Sequence, residues 1–276
     1  AKEVNFVPNA RGRALAVGRT EIIAVLVTEP LSELFSDPTY SEFLSGITEE
    51  LSESSYLPVI LQASSTHERN RAREHFERRS FDAVIDVSPY KGCGQLEGHP
   101  YRDVFSTVYS DDEEGGRFAA LAMKGRGRKD IVAVLGPQDN PAVVDRLRGY
   151  RAVLGEDLPD ANVIYTGWNS GDGYQAMHLI LARKIAFDGV LCGSDRIAAG
   201  VITALNEAGL SVPADVSVVG FDDHEIATRC VPALTTVRQP LREEGHMAAN
   251  IALDMIKGAE PTTSVMHMQL IQRDSL

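Results

Sequence analysis

Asp222 is the residue in this chain best placed to do chemistry. It sits at the end of the run V-S-V-V-G-F-D-D (residues 216–223), where β-branched residues stop at a glycine, an aromatic and two carboxylates. Such a run reads as a buried parallel strand, and open α/β sheets bind ligands at the carboxyl ends of their strands. A carboxylate there can accept two hydrogen bonds from hydroxyls or amines, strengthened by partial burial, or it can cap and bridge structural elements. Asp223 reads as the structural member of the pair. Arg146, in D-R-L-R-G-Y near a helix start, offers a guanidinium fork for a carboxylate, phosphate or vicinal diol; the alternative is a surface salt bridge. Trp168, the single tryptophan, lies in the polar loop T-G-W-N-S-G-D-G after a strand. An indole face on such a loop suits stacking against a sugar or heterocycle. Ser194 and Asp195 lie between a strand and a helix, as ligand contacts or as N-caps. Tyr40, after S-D-P-T at a helix start, supplies a facing ring or ordinary packing.

Signatures of bond-making chemistry are missing. There is no G-x-x-x-x-G-K-[ST], no G-x-G-x-x-G after a strand and no G-x-S-x-G, and H-E-R-N-R at His67 lacks the second histidine of a zinc site. The seven histidines are scattered without ligand spacing. G-R-G-R-K (residues 125–129) reads as a basic turn. The expectation is a binding protein rather than an enzyme, with no catalytic residue, metal or cofactor.

Alternating short apolar runs and amphipathic stretches must hold these groups in place. Residues 22–28, 57–62, 81–88 and 104–109 read as strands, with helices at 40–54 and 67–79 and a glycine-rich loop at 90–100. The rhythm restarts with helices at 113–123, 142–154, 173–182 and 196–208, the last ended by Gly209. Strands between them fall at 131–136, 163–166, 189–193 and 216–221. A long helix at 242–257, stopped by Gly258 and Pro261, precedes a final strand at 266–272. Strands separated by ten- to fifteen-residue helices imply right-handed βαβ units. Two such runs, breaking near Ser110, predict an α/β protein of two doubly wound parallel-sheet lobes.

The 276 residues, 43% hydrophobic and 24% charged, have an ordinary globular composition. No apolar run is long enough to span a bilayer, and no apolar signal core opens the chain, so no membrane association is expected and a cytoplasmic location is. Cys93, Cys192 and Cys230 are odd in number and widely spaced, which fits a reducing compartment. The net charge of −12 is uneven: residues 1–20 hold four cations against Glu3 alone, leaving −15 on the rest. An acidic body repels a polyanion, so any contact with nucleic acid must run through that arm.

In chain order, several of these segments resemble the lactose-repressor (LacI/GalR) family of bacterial transcription regulators. F-V-P-N-A-R-G-R-A-L-A-V-G-R-T (6–20) is similar to the family's hinge, and S-D-P-T-Y-S-E-F-L-S-G-I (36–47) to its first core helix and the loop before it. D-R-L-R-G-Y-R (145–151), G-S-D-R-I-A-A-G (193–200), L-S-V-P-A-D-V-S-V-V-G-F-D-D (210–223) and P-A-L-T-T-V-R-Q-P (232–240) follow in family order. The resemblance implies a core like the type I periplasmic sugar-binding proteins, with three crossovers between lobes and a small-molecule effector in the cleft. The implied divisions are a hinge arm at 1–20, one lobe at 21–109 plus 238–260, and a second at 110–237 plus 261–276. Tyr40, Arg146, Trp168, Ser194 and Asp222 match the family's effector contacts. A hinge helix from about Asn9 to Ala16 would meet operator DNA through Asn9, Arg11 and Arg13, with Leu15 as a minor-groove wedge. The family's helix-turn-helix headpiece is expected to lie outside this sequence. Gly12, Ser194 in place of the family's common asparagine, and a long segment at 30–38 are departures. The implied protein is a homodimeric repressor that senses a sugar or related molecule; a periplasmic or lipoprotein sugar receptor of the same fold is the alternative.

Overall fold

The computed structural model describes residues 18–87 and 106–276. Asn9, Arg11, Arg13, Leu15, the loop at 90–100 and Cys93 lie outside the described residues. The chain divides into two compact units, Ala1–Val108 with Leu241–Ser264 and Tyr109–Pro240 with Val265–Leu276. It therefore changes unit three times. The second change comes after Pro240 rather than at 237/238, because residues 236–238 form a strand that stays with the second unit.

In the first unit, β1 (Ile22–Val27) lies between β2 (Leu57–Gln62) and β3 (Ala83–Val87), all parallel. Successive side chains of β1 leave on opposite faces. Ile23, Val25 and Val27 meet Phe43, Ile47 and Leu51 of α2 (Pro38–Leu51), together with Ala248, Ala249 and Ala252 of α9 (Leu241–Ile256). Leu26 meets Ala72 and Phe76 of α3 (Thr66–Glu77) on the other face. Asp37 caps α2 by accepting from Thr39 N at 3.0 Å, with Pro38 in the first turn, where its missing N–H costs nothing. The segment at 30–38, read as a long loop, contains the short helix α1 (Leu31–Ser36). Leu31, Leu34 and Phe35 have helical spacing; Leu34 is buried and Phe35 is 79% exposed.

The second unit has a four-stranded parallel sheet ordered β6 (Val163–Tyr165), β5 (Ile131–Leu135), β7 (Gly189–Cys192), β8 (Ser217–Val219). β5 is buried along its whole length because both its faces are covered. Ile131, Ala133 and Leu135 join Ala119 and Met123 of α4 (Asp112–Gly125) and Tyr150 and Leu154 of α5 (Pro141–Leu154). Val132 and Val134 join Met177 and Ile180 of α6 (Ser170–Ala182) and Ile197 and Val201 of α7 (Asp195–Glu207). This is the doubly wound arrangement.

Two readings near the end of the chain need correction. Residues 266–272 are not one strand. β4 (Thr107–Ser110) pairs with β10 (Thr263–Met266), whereas β11 (Gln269–Ile271) runs antiparallel to β9 (Thr236–Arg238). The break falls at Met268, whose N–H donates to the Glu114 carboxylate at 3.0 Å instead of to a strand. After β8, a five-residue helix α8 (Glu225–Arg229) was also not foreseen. Among the described residues no helix is long and apolar enough to cross a membrane.

Three helix pairs cross through facing glycines. A Cβ on Gly116 of α4 would lie 2.4 Å from the Arg146 carbonyl oxygen, and one on Gly149 of α5 would lie 2.2 Å from that of Glu113. Gly173 and Gly200 play the same part between α6 and α7, and Gly46 and Gly245 between α2 and α9. Backbones approach this closely only where no side chain intervenes.

Candidate functional site

The candidate groups of the second unit gather at the carboxyl ends of its parallel strands, where doubly wound sheets bind ligands. Arg146 is the centre. It lies on the stripe Val143, Leu147, Tyr150, Leu154 of α5 and is buried, which rules out the surface salt bridge. Its Nε donates to Asp112 Oδ1 at 2.8 Å, and one terminal nitrogen donates to the Gly193 carbonyl just beyond β7. The same nitrogen lies 3.5 Å from Asp222 Oδ1. The guanidinium carbon stands 3.7 Å over the centre of the Phe221 ring and 6.0 Å from that of Trp168, within cation–π range.

Asp222 follows β8 in a tight turn, with φ of 106° at Asp222 and 62° at Asp223. Aspartate tolerates this left-handed region better than most residues, and such strain concentrates at functional sites. The Asp222 N–H donates to the Val237 carbonyl at 2.7 Å, and its Oδ1 accepts from Gln239 Nε2 at 2.6 Å. Asp223 is the structural member: it accepts from Arg238 Nε at 2.7 Å and from an Arg273 terminal nitrogen at 2.6 Å.

Ser194 is the N-cap of α7, its hydroxyl oxygen accepting from Ile197 N at 3.2 Å. Asp195, the first residue of that helix, ties separate segments together: its carboxylate accepts from His224 N at 2.8 Å and from the Thr236 hydroxyl at 2.6 Å. Trp168 directly precedes Asn169, the cap of α6. Asn169 Oδ1 accepts from Asp172 N at 3.0 Å while Asp172 accepts from Asn169 N at 3.1 Å, a reciprocal capping box that fixes the loop. The indole lies so close to Gly136 that a Cβ there would meet its ring at 2.5 Å. Gly136→Ala is therefore expected to displace the ring. Because Trp168 is the single tryptophan, the intrinsic emission spectrum of the variant checks this directly: a spectrum identical to wild type would show the ring unmoved. Tyr40 belongs to the first unit, packing at the edge of its core from the first turn of α2.

The electrostatics follow from burial and crowding. Burial works against the Arg146 charge, but Asp112 and Asp222 more than offset it and hold the guanidinium above its ordinary value. The Asp112 carboxyl is pushed up, first by burial and then by Asp222 and Asp145, against the pull of Arg146. Asp195 is pushed well above the carboxylate range by burial and by Asp222, tempered by its bonds to Thr236 and His224. Asp112 and Gln239 were not singled out from sequence. The only signal for Asp112 was its place in the acidic start of a helix, and for Gln239 its place in T-T-V-R-Q-P. Among the described residues no group of three or more histidines, cysteines or acids could hold a metal ion.

The family described as a periplasmic binding protein-like domain matches residues 120–276. The HTH-type transcriptional regulator CelR of Thermobifida fusca is 32% identical over 295 aligned positions, covering 99% of this chain and 86% of its own length. The chain belongs to the LacI/GalR family of transcriptional regulators. The ribose operon repressor of Escherichia coli (strain K12) is 28% identical, covering 98% of this chain and 85% of its own. A solved CelR–cellobiose complex superposes with a TM-score of 0.86 at 30% identity, covering the whole of this chain and 88% of that one. These relatives are transcriptional regulators, which decides for the LacI-family core against the transport receptor.

Proposed function

We propose that the chain senses a sugar through Arg146, Asp222 and Trp168 and transmits that binding to operator DNA without catalysis. The observation that carries this reading is the buried Arg146–Asp222 pair, 3.5 Å apart, with an indole 6.0 Å from the guanidinium. Carboxylate and guanidinium together accept from and donate to hydroxyls, and an aromatic face covers C–H groups. Cellobiose in the complex of a relative 30% identical to this chain supports the class. Ser194, as the helix cap beside Gly193, retains its hydroxyl hydrogen for a ligand. Tyr40 rests on the family resemblance alone, as do Asn9, Arg11, Arg13 and Leu15 as operator contacts. A homodimer in the cytoplasm completes the reading.

The test is calorimetric titration of wild type and Asp222→Asn with cellobiose and ribose. Asparagine keeps the shape and tolerates positive φ but removes the charge. The sugar that binds wild type is expected to lose about a hundredfold or more in affinity, because the paired Arg146 is left partly uncompensated. Equal affinities would remove Asp222 from the site.

A further inference from the structure

We infer that this site is built for an uncharged ligand, and that Asp112 is the residue that turns anions away. The inference rests on Arg146, Asp222 and Trp168 being effector contacts, and it narrows the effector to an unphosphorylated, unoxidised sugar. A guanidinium is the side chain best suited to phosphate or carboxylate, so the arginine alone would point the other way. Its partners reverse that. Arg146 gives its Nε to Asp112 at 2.8 Å and a terminal nitrogen to the Gly193 carbonyl, with Asp222 at 3.5 Å. Both carboxylates are largely buried, their side chains 16% and 7% exposed, so solvent screens them poorly.

The nearby basic side chains face carboxylates: His224 Nδ1 lies 3.7 Å from Asp222 Oδ2. Arg238 and Arg273 both hold Asp223, at 2.7 and 2.6 Å. A third buried carboxylate, Asp195, accepts from His224 N at 2.8 Å and from the Thr236 hydroxyl at 2.6 Å. Arg146 is thus flanked by two carboxylates, with Asp112 on its Nε and Asp222 beside a terminal nitrogen. A phosphate or sugar carboxylate brought to Arg146 would meet Asp112 and Asp222 at contact range. Sugar hydroxyls, by contrast, donate to the carboxylates and accept from the guanidinium without adding charge.

The experiment titrates the 276-residue chain with matched pairs: ribose and ribose 5-phosphate, cellobiose and cellobionate, glucose and glucose 6-phosphate. In any pair that binds, the neutral member is expected to be tighter by about tenfold or more, the penalty of like charges at a poorly screened site. An anionic member binding as tightly as its neutral partner would overturn the inference while leaving the sugar site standing. Failure of all members to bind would instead sink the sugar reading and the inference with it. Asp112→Asn, with Asp112→Ser as a second variant and the melting temperature of each as a check on folding, tests the residue. The ratio of anionic to neutral affinity is expected to rise about tenfold, and an unchanged ratio in a folded variant would remove Asp112 from this role. Should neither variant fold, the wild-type pairs still decide whether the site discriminates.

Discussion

Arg146→Met is expected to destabilise the second unit by about 3–5 kcal/mol, the range for removing one partner of a buried ion pair. Methionine keeps much of the stem volume, so the loss is mainly electrostatic. Asp112 and Asp222 would each lose the cation they share, the Gly193 carbonyl would lose its donor, and the Phe221 face would lose its charge. Urea unfolding at pH 7 measures the cost, and its pH dependence identifies the cause. Buried carboxylates that lose a counter-ion bind protons more readily in the folded state than in the unfolded one. Stability then rises as pH falls, so the deficit relative to wild type should shrink toward pH 4. Wild type should show a smaller trend of the same sign, because Asp112 and Asp195 are already pushed above the ordinary carboxylate range by burial and by Asp222. A deficit that stays constant with pH would mean lost packing rather than unbalanced charge.

Gly200→Ala is expected to cost about 3 kcal/mol, at the upper end of what overpacking does. The sign is the informative part. In a helix interior, glycine to alanine ordinarily stabilises by about 0.5–1 kcal/mol. At Gly200 the new Cβ would lie 1.9 Å from the Ser170 carbonyl oxygen, and that atom is backbone at the start of α6, so the two helices must separate. Gly125→Ala is the control, since nothing lies within 4 Å of its Cβ position at the end of α4. Thermal unfolding of the two variants should move in opposite directions, and a stable Gly200→Ala would mean that the crossing is looser than described.

Much of the architecture was legible because burial on both faces leaves an unmistakable trace. I-I-A-V-L-V at 22–27 and I-V-A-V-L at 131–135 are continuous apolar runs, and each forms the middle of a parallel sheet. Gly209 and Gly258 end their helices with φ of 77° and 96°, as their positions implied. α1 and α8 leave no periodic trace because six and five residues span fewer than two turns, too few to establish a period. The break between β10 and β11 depends on Glu114, more than 150 residues away, and no local pattern records it. The candidate site was only half readable for the same reason. Arg146 shares a stripe with Val143, Leu147 and Tyr150, so its burial could have been inferred from helical spacing. Its partner Asp112 lies 34 residues away on a different helix, and periodicity says which face is covered, never what stands opposite.

The reciprocal capping box before α6 and the bonds around Arg146 have a thermodynamic consequence for a regulator. Arg146 and Asp222 have their orientations set by Asp112 and Gln239, and the loop that carries Trp168 is fixed by Asn169. Rotamer entropy that a floppy receptor surrenders at the moment of capture has here been surrendered once, during folding. A site ordered in this way gives a ligand more affinity for the same contacts, and it couples to a second site only as far as two arrangements of the protein hold those side chains differently.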